Sequence, residues 1–84
     1  MHFTFSESAK TDIGKLPKKE SVRLKNKLLY WQSAPRPLEF AKPLIDHAEA
    51  THRFRLGAYR LLIKRIGEEM RVLCVRHRKD VYNK

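Results

Sequence analysis

The run THRFRLGAYRLLIKRIGEEMRVLCV, residues 51–75, decides the fold. Apolar and charged residues alternate through THRFRL (51–56) and YRLLIKRI (59–66), and MRVLCV (70–75) is a short apolar run. A period of two is the mark of a β-strand with one buried face. Gly57-Ala58 and Gly67-Glu68 separate the three runs at hairpin length. Three consecutive antiparallel strands are the simplest reading.

Loop length then sets the register. A two-residue loop at Gly57-Ala58 places Leu56 opposite Tyr59 and Arg55 opposite Arg60. Directly opposite residues share a face. Phe54, Leu56, Tyr59, Leu61 and Ile63 therefore form one face, and Arg53, Arg55 and Arg60 the other. A two-residue loop at Gly67-Glu68 puts Val72 and Cys74 with the apolar set. It adds Lys64, Arg71 and His77 to the basic set, with Leu62, Leu73 and Val75 between them. A three-residue loop would invert the last strand. VLCV is apolar on both faces and does not arbitrate. The grouping of Arg53, Arg55 and Arg60 is independent of that choice. Arg55 facing Arg60 is a like-charge cost that a bound phosphate would turn into a gain.

Upstream, HFTF (2–5) reads as a first strand, and Ser6 caps a helix with Glu7 in its first turn. Ala9, Ile13 and Leu16 give that helix its apolar stripe. Pro17 suits the start of a second helix, expected over residues 17–32, with Leu24, Leu28 and Trp31 on one face. SAPRPLEFAKP (33–43) is a proline-rich connector that tucks Leu38, Phe40 and Leu44 against the core. The expected fold is α+β, in the order β-α-α-β-β-β. It is a small antiparallel sheet with a two-helix hairpin packed on one face, in a single domain over residues 1–84.

The chain has 84 residues and a formal net charge of +10. Residues 51–84 hold ten Lys/Arg against three Asp/Glu, while residues 1–50 hold nine against six. A basic excess carried on strands suits a polyanion. One cysteine, Cys74, excludes an internal disulfide and a cysteine-rich metal site. No stretch approaches the ~18 apolar residues of a membrane span. MHFTFSESAK lacks the basic start and apolar centre of a secretion signal. A cytoplasmic protein with no membrane partner is expected.

HRFRLGAYRLLI, the acidic hairpin GEE and the ending HRKDVY together resemble the RelE/ParE superfamily of toxins from bacterial type II toxin–antitoxin systems, as does FSESAKTDIGKLPKK at the N-terminus. The likeness covers nearly the whole chain. It implies a RelE-like mRNA interferase: a ribosome-dependent, metal-independent endoribonuclease that cuts mRNA in the A site, using the RNA 2′-hydroxyl against the adjacent phosphate. It implies mRNA, the 70S ribosome and a cognate antitoxin with a partly disordered, acidic segment as partners. No small-molecule cofactor and no metal are implied, and the location is the bacterial or archaeal cytoplasm. Two other readings stay open: a ParE-like toxin that binds DNA gyrase without cutting, and an inactive RNA-binding member of the fold.

By the same resemblance Arg60 matches the family's phosphate-stabilising arginine, Arg78 a second one, and Tyr82 the C-terminal tyrosine that aligns the nucleotide. Arg53 and Arg55 stand where RelE enzymes of the E. coli type carry two lysines. Arginine does not lose its proton near neutral pH, so Arg55 stabilises charge and His77 is the expected acid–base group. Arg53, Arg55, Lys64, Arg71 and Lys79 are the expected RNA contacts. Trp31 and Cys74 read as core.

Overall fold

The computed structural model describes residues 1–82 and the side chains of residues 1–80. Strand β1 (His2–Phe5) leads into helices α1 (Glu7–Gly14) and α2 (Lys18–Ser33). A single 3-10 turn, Pro37–Phe40, follows, and then strand β2 (Lys42–Pro43). Strands β3 (His52–Leu56), β4 (Tyr59–Ile66) and β5 (Glu69–His77) come next, and a short helix α3 (Arg78–Tyr82) closes the described chain. No helix among the described residues is long and apolar enough to cross a membrane.

Local chemistry sets these boundaries. The Ser6 hydroxyl accepts the Ala9 N–H and donates to the Leu73 carbonyl, so one side chain caps α1 and ties it to β5. Pro17 is the residue before α2 and not its first turn. Gly57 and Gly67 take φ of 56° and 61°, which the first loop position of a type II′ hairpin requires. Both hairpins therefore close in two residues, with Leu56 opposite Tyr59 and Ile66 opposite Glu69.

The sheet runs β1-β5-β4-β3-β2. Strands β3 to β5 are antiparallel neighbours, as expected, and β2 adds an antiparallel edge strand beside β3. β1 joins β5 in parallel, with Phe5 opposite Val72, so the whole sheet is mixed. β2 lay hidden in the connector. Its Pro43 is tolerated because it sits on an edge strand.

The helix side of the sheet is dry. Phe54, Leu56, Leu61, Ile63, Met70, Val72 and Val75 bury there against Ala9, Leu24 and Trp31. Trp31 stacks on Phe54 at 4.5 Å between ring centroids, and Phe3 meets Phe54 edge-on at 5.5 Å. Leu38 packs on this core, whereas Phe40 is 46% exposed and meets Tyr30 edge-on.

Half-way along β5 the register slips. Ile63 pairs with Val72 but Leu62 pairs with Cys74, so Leu73 is the extra residue of a bulge. The bulge lies where β1 stops and α1 takes over the outer edge of β5. The Ser6 N–H donates to the Val72 carbonyl, and the Val75 N–H donates to Asp12. Each residue of β5 after Leu73, from Cys74 to His77, lies on the face opposite to that given by simple alternation. Val75, expected on the open face, is buried in the core. Cys74, expected in the core, pairs with Leu62 on the open face and is half-buried.

Candidate nucleic-acid interface

The face of the sheet away from the helices carries the basic residues. Arg53 pairs with Leu62, and Arg55 pairs with Arg60. Across the next strand boundary Arg60 pairs with Arg76, and Lys64 pairs with Arg71. Arg55, Arg60 and Arg76 thus form a row over three neighbouring strands. Strand neighbours lie about 5 Å apart, and like charges at that spacing repel. An anion placed over the row removes that cost.

The middle member of the row is buried. Arg60 is 4% exposed, and its Nη1 donates to the carbonyls of Gly57 (2.8 Å) and Tyr59 (3.0 Å). The guanidinium is therefore fixed against the hairpin turn that precedes it. Arg60, Arg53, Arg55 and Lys42 line a cavity of about 310 Å³ with Phe40 and Ala41. Among the described residues, four cations and no carboxylate line that space. Lys42 and Phe40 escape a sequence reading because both lie in the proline-rich connector. Only the pairing of Lys42 with Arg53 reveals the first of them.

Arg76 stands at the outer edge of β5. Its Nη1 donates to Asp12 Oδ2 of α1, and the same oxygen accepts the Val75 N–H at 2.9 Å. One carboxylate thus fixes both the edge of β5 and the arginine opposite Arg60. Alternation hides Arg76, because its face depends on the bulge at Leu73.

Other expected site residues lie elsewhere. Simple alternation puts His77 with the basic set, but it pairs with Tyr59, and their rings meet edge-on at 5.4 Å. Tyr59 packs against the core, so His77 lies on the helix side of the sheet. Its Nδ1 accepts the Lys79 N–H at the start of α3. The bulge is again the reason for the misplacement. Arg78 and Lys79 are exposed on α3, and neither lines the arginine cavity. The Arg78 N–H donates to the Ala58 carbonyl, so its backbone anchors α3 to the hairpin. The Tyr82 side chain lies outside the described residues.

Lys64 and Arg71 are exposed on the open face, near the second hairpin. Arg71 Nε donates to Glu69 Oε2 (3.2 Å), which also accepts the Thr4 hydroxyl (2.6 Å). The Thr4 hydrogen bond, with the Arg71 charge behind it, holds the Glu69 carboxyl below its ordinary range. That clamp joins β1 to β5 and engages Arg71. Lys64 and Arg71 thus flank the arginine row at a distance from its centre.

Comparison with protein-family models and with curated protein sequences yields no match. Solved structures do match. A chain of the RelBE2 toxin–antitoxin complex from Mycobacterium tuberculosis superposes with a TM-score of 0.77 at 28% identity, over 90% of this chain and 88% of that one. The isolated E. coli RelE toxin superposes with a TM-score of 0.70 at 27% identity, over 98% of this chain and 90% of that one. The chain is RelE-like. A chain of the RelB–RelE complex from Methanococcus jannaschii shares the fold at TM-score 0.74 and 22% identity, with 94% of each chain covered. The RelE-like sheet thus places its arginine row on the face that its own helices leave uncovered.

Proposed function

We propose that this protein is the toxin of a toxin–antitoxin pair and acts as a ribosome-dependent, metal-independent endoribonuclease on mRNA. The observation that carries the reading is the row Arg55–Arg60–Arg76, flanked by Arg53 and Lys42. RNA contains its own nucleophile, the 2′-hydroxyl beside each phosphate. Attack by the 2′-oxygen closes a 2′,3′-cyclic phosphate and breaks the bond from phosphorus to the 5′-oxygen, which leaves as a 5′-hydroxyl. The proton lost by the 2′-hydroxyl is balanced by the one gained there. The transition state builds negative charge on the equatorial oxygens. Fixed guanidinium groups aimed at that charge lower the barrier, and removing one such donor typically costs about 10²–10³-fold in rate. Arg60 suits the task because its guanidinium is already held by two carbonyls. Arg76 is the second guanidinium of this reading, in place of Arg78, because Arg76 pairs with Arg60 across the strands. Arg55 supplies the third charge.

A cognate antitoxin is the partner of this reading. Between α1, α2 and β1 lies an apolar groove of about 510 Å³, with Phe5, Ile13, Leu24 and Leu28 in its lining and Lys10 and Lys25 at its rim. An acidic, amphipathic segment that orders on binding suits both the groove and the charge of +10. Primer extension on an mRNA under translation, with and without the protein, tests the nuclease reading. Cuts within A-site codons are expected. Intact mRNA together with loss of supercoiling by DNA gyrase would overturn it in favour of a binding toxin.

A further inference from the structure

Two cavities open on the arginine face and share one wall, Arg53. The first holds Lys42, Arg55 and Arg60 and suits a phosphate. The second, about 400 Å³, is of a different kind. Leu62, Leu73 and Cys74 line it from the sheet, and Leu44, His47, Ala48 and Glu49 line it from the loop between β2 and β3. Arg76 and Asp80 complete its lining. An apolar floor bounded by planar cations suits a flat ring whose edge is polar. A nucleobase stacks on guanidinium and imidazole planes in this way. A base whose phosphate lies over the arginine row reaches the second cavity past Arg53.

We propose that this second cavity is a nucleobase subsite, and that it takes bases with an exocyclic amino group in preference to uracil. The inference rests on the RNA reading of the arginine face. Hydrogen bonding within the loop defines the polar edge of the subsite. Asp46 turns the chain through the left-handed region, with φ of 63°. His47 Nδ1 then accepts the N–H groups of Glu49 (3.2 Å) and Ala50 (2.9 Å). A nitrogen that accepts twice is not the donor of its ring, so the N–H that His47 can offer is on Nε2. The carboxylates of Glu49 and Asp80 accept only. Cytosine meets this rim with an amino group for a carboxylate and a carbonyl for a donor. Uracil replaces the amino group with a second carbonyl, which a carboxylate repels. A carboxylate that accepts from the cytosine amino group is a known form of base reading.

The test is direct binding of the full chain to cytidine and uridine octanucleotides, which differ at that amino group, read by fluorescence anisotropy at low salt. Cytidine should bind about tenfold more tightly than uridine. Glutamine both donates and accepts, so Glu49→Gln should shrink the gap to about threefold or less. Equal binding of the two oligonucleotides by the unmodified protein overturns the subsite. So does a gap that persists unchanged in both Glu49→Gln and His47→Ala. Failure of both oligonucleotides to bind overturns the RNA reading along with it, whereas equal tight binding leaves that reading standing.

Discussion

The two faces of one sheet differ in what holds them. On the helix side, position is set by shape: Phe54 lies between Trp31 and Phe3, and the contact is non-directional burial. On the open side, position is set by a few directional bonds. Arg60 is held by two turn carbonyls and Arg76 by one carboxylate. The dry face stabilises the fold, and the basic face uses the rigidity of the strands to hold like charges together. A substitution on the first should therefore act on folding, and one on the second on activity.

The largest expected effect is on the dry face. Phe54→Ala removes the ring between two others, and such changes cost about 3–5 kcal/mol. In a chain of this size that is much of the total stability. Thermal unfolding followed by circular dichroism should show a Tm drop of about 15 °C or more. A drop of only a few degrees would place the core elsewhere.

Arg60→Lys separates the two faces most sharply. Lysine retains the charge but not the planar fork. Cutting should fall by about 10²-fold. Tm should fall by about 4–8 °C, as expected for about 1 kcal/mol in a small domain, because the turn carbonyls lose a well-aimed donor. Alanine at this position confounds the two effects, since Arg60 caps its own hairpin. Unchanged cutting in a folded Arg60→Lys protein would remove the guanidinium from the reaction.

Asp12→Asn is milder. The amide oxygen still accepts the Val75 N–H, while the charge that holds Arg76 is lost. The pair is partly exposed, so stability should fall by about 1 kcal/mol or less. Cutting should fall about tenfold, from the less ordered guanidinium. Asp12→Glu should restore part of it. Equal rates in Asp12→Asn and the unmodified protein would show that Arg76 needs no anchor.

The smallest effect is that of pH. Partial burial, with the charge of Arg65, lowers the His52 pKa below 6.5. The unfolded chain therefore binds a proton that the folded chain resists, and stability falls as pH drops below about 6.5. Glu69, whose pKa is also lowered, adds a further loss as pH falls below 4.5. Urea midpoints between pH 7.5 and 5.5 should decrease slightly, and His52→Gln should remove that decrease.

The same contrast explains what the amino-acid sequence disclosed. The first hairpin was legible because charge alternates cleanly through HRFRL and YRLL, and Gly57 marks the turn. Arg53, Arg55 and Arg60 followed from that register. VLCV was not legible, because four apolar residues carry no signal of which side faces water. The bulge at Leu73 lies in that silent stretch and decides the face of Cys74, Arg76 and His77. The parallel pairing of β1 left no trace either, since alternation reports burial and not the neighbouring strand. Lys42 lay in a segment whose prolines mask a two-residue strand, and the loop at His47 carries neither period.

The bulge gives Arg76, and not Arg78, to the arginine row. Cutting rates of Arg76→Ala and Arg78→Ala on one translated mRNA test it most directly. Arg76→Ala should lose about 10²–10³-fold, and Arg78→Ala should stay within about threefold of the unmodified protein, since its side chain is exposed on α3. The reverse order, with Arg78 indispensable and Arg76 replaceable in folded proteins, would contradict the account.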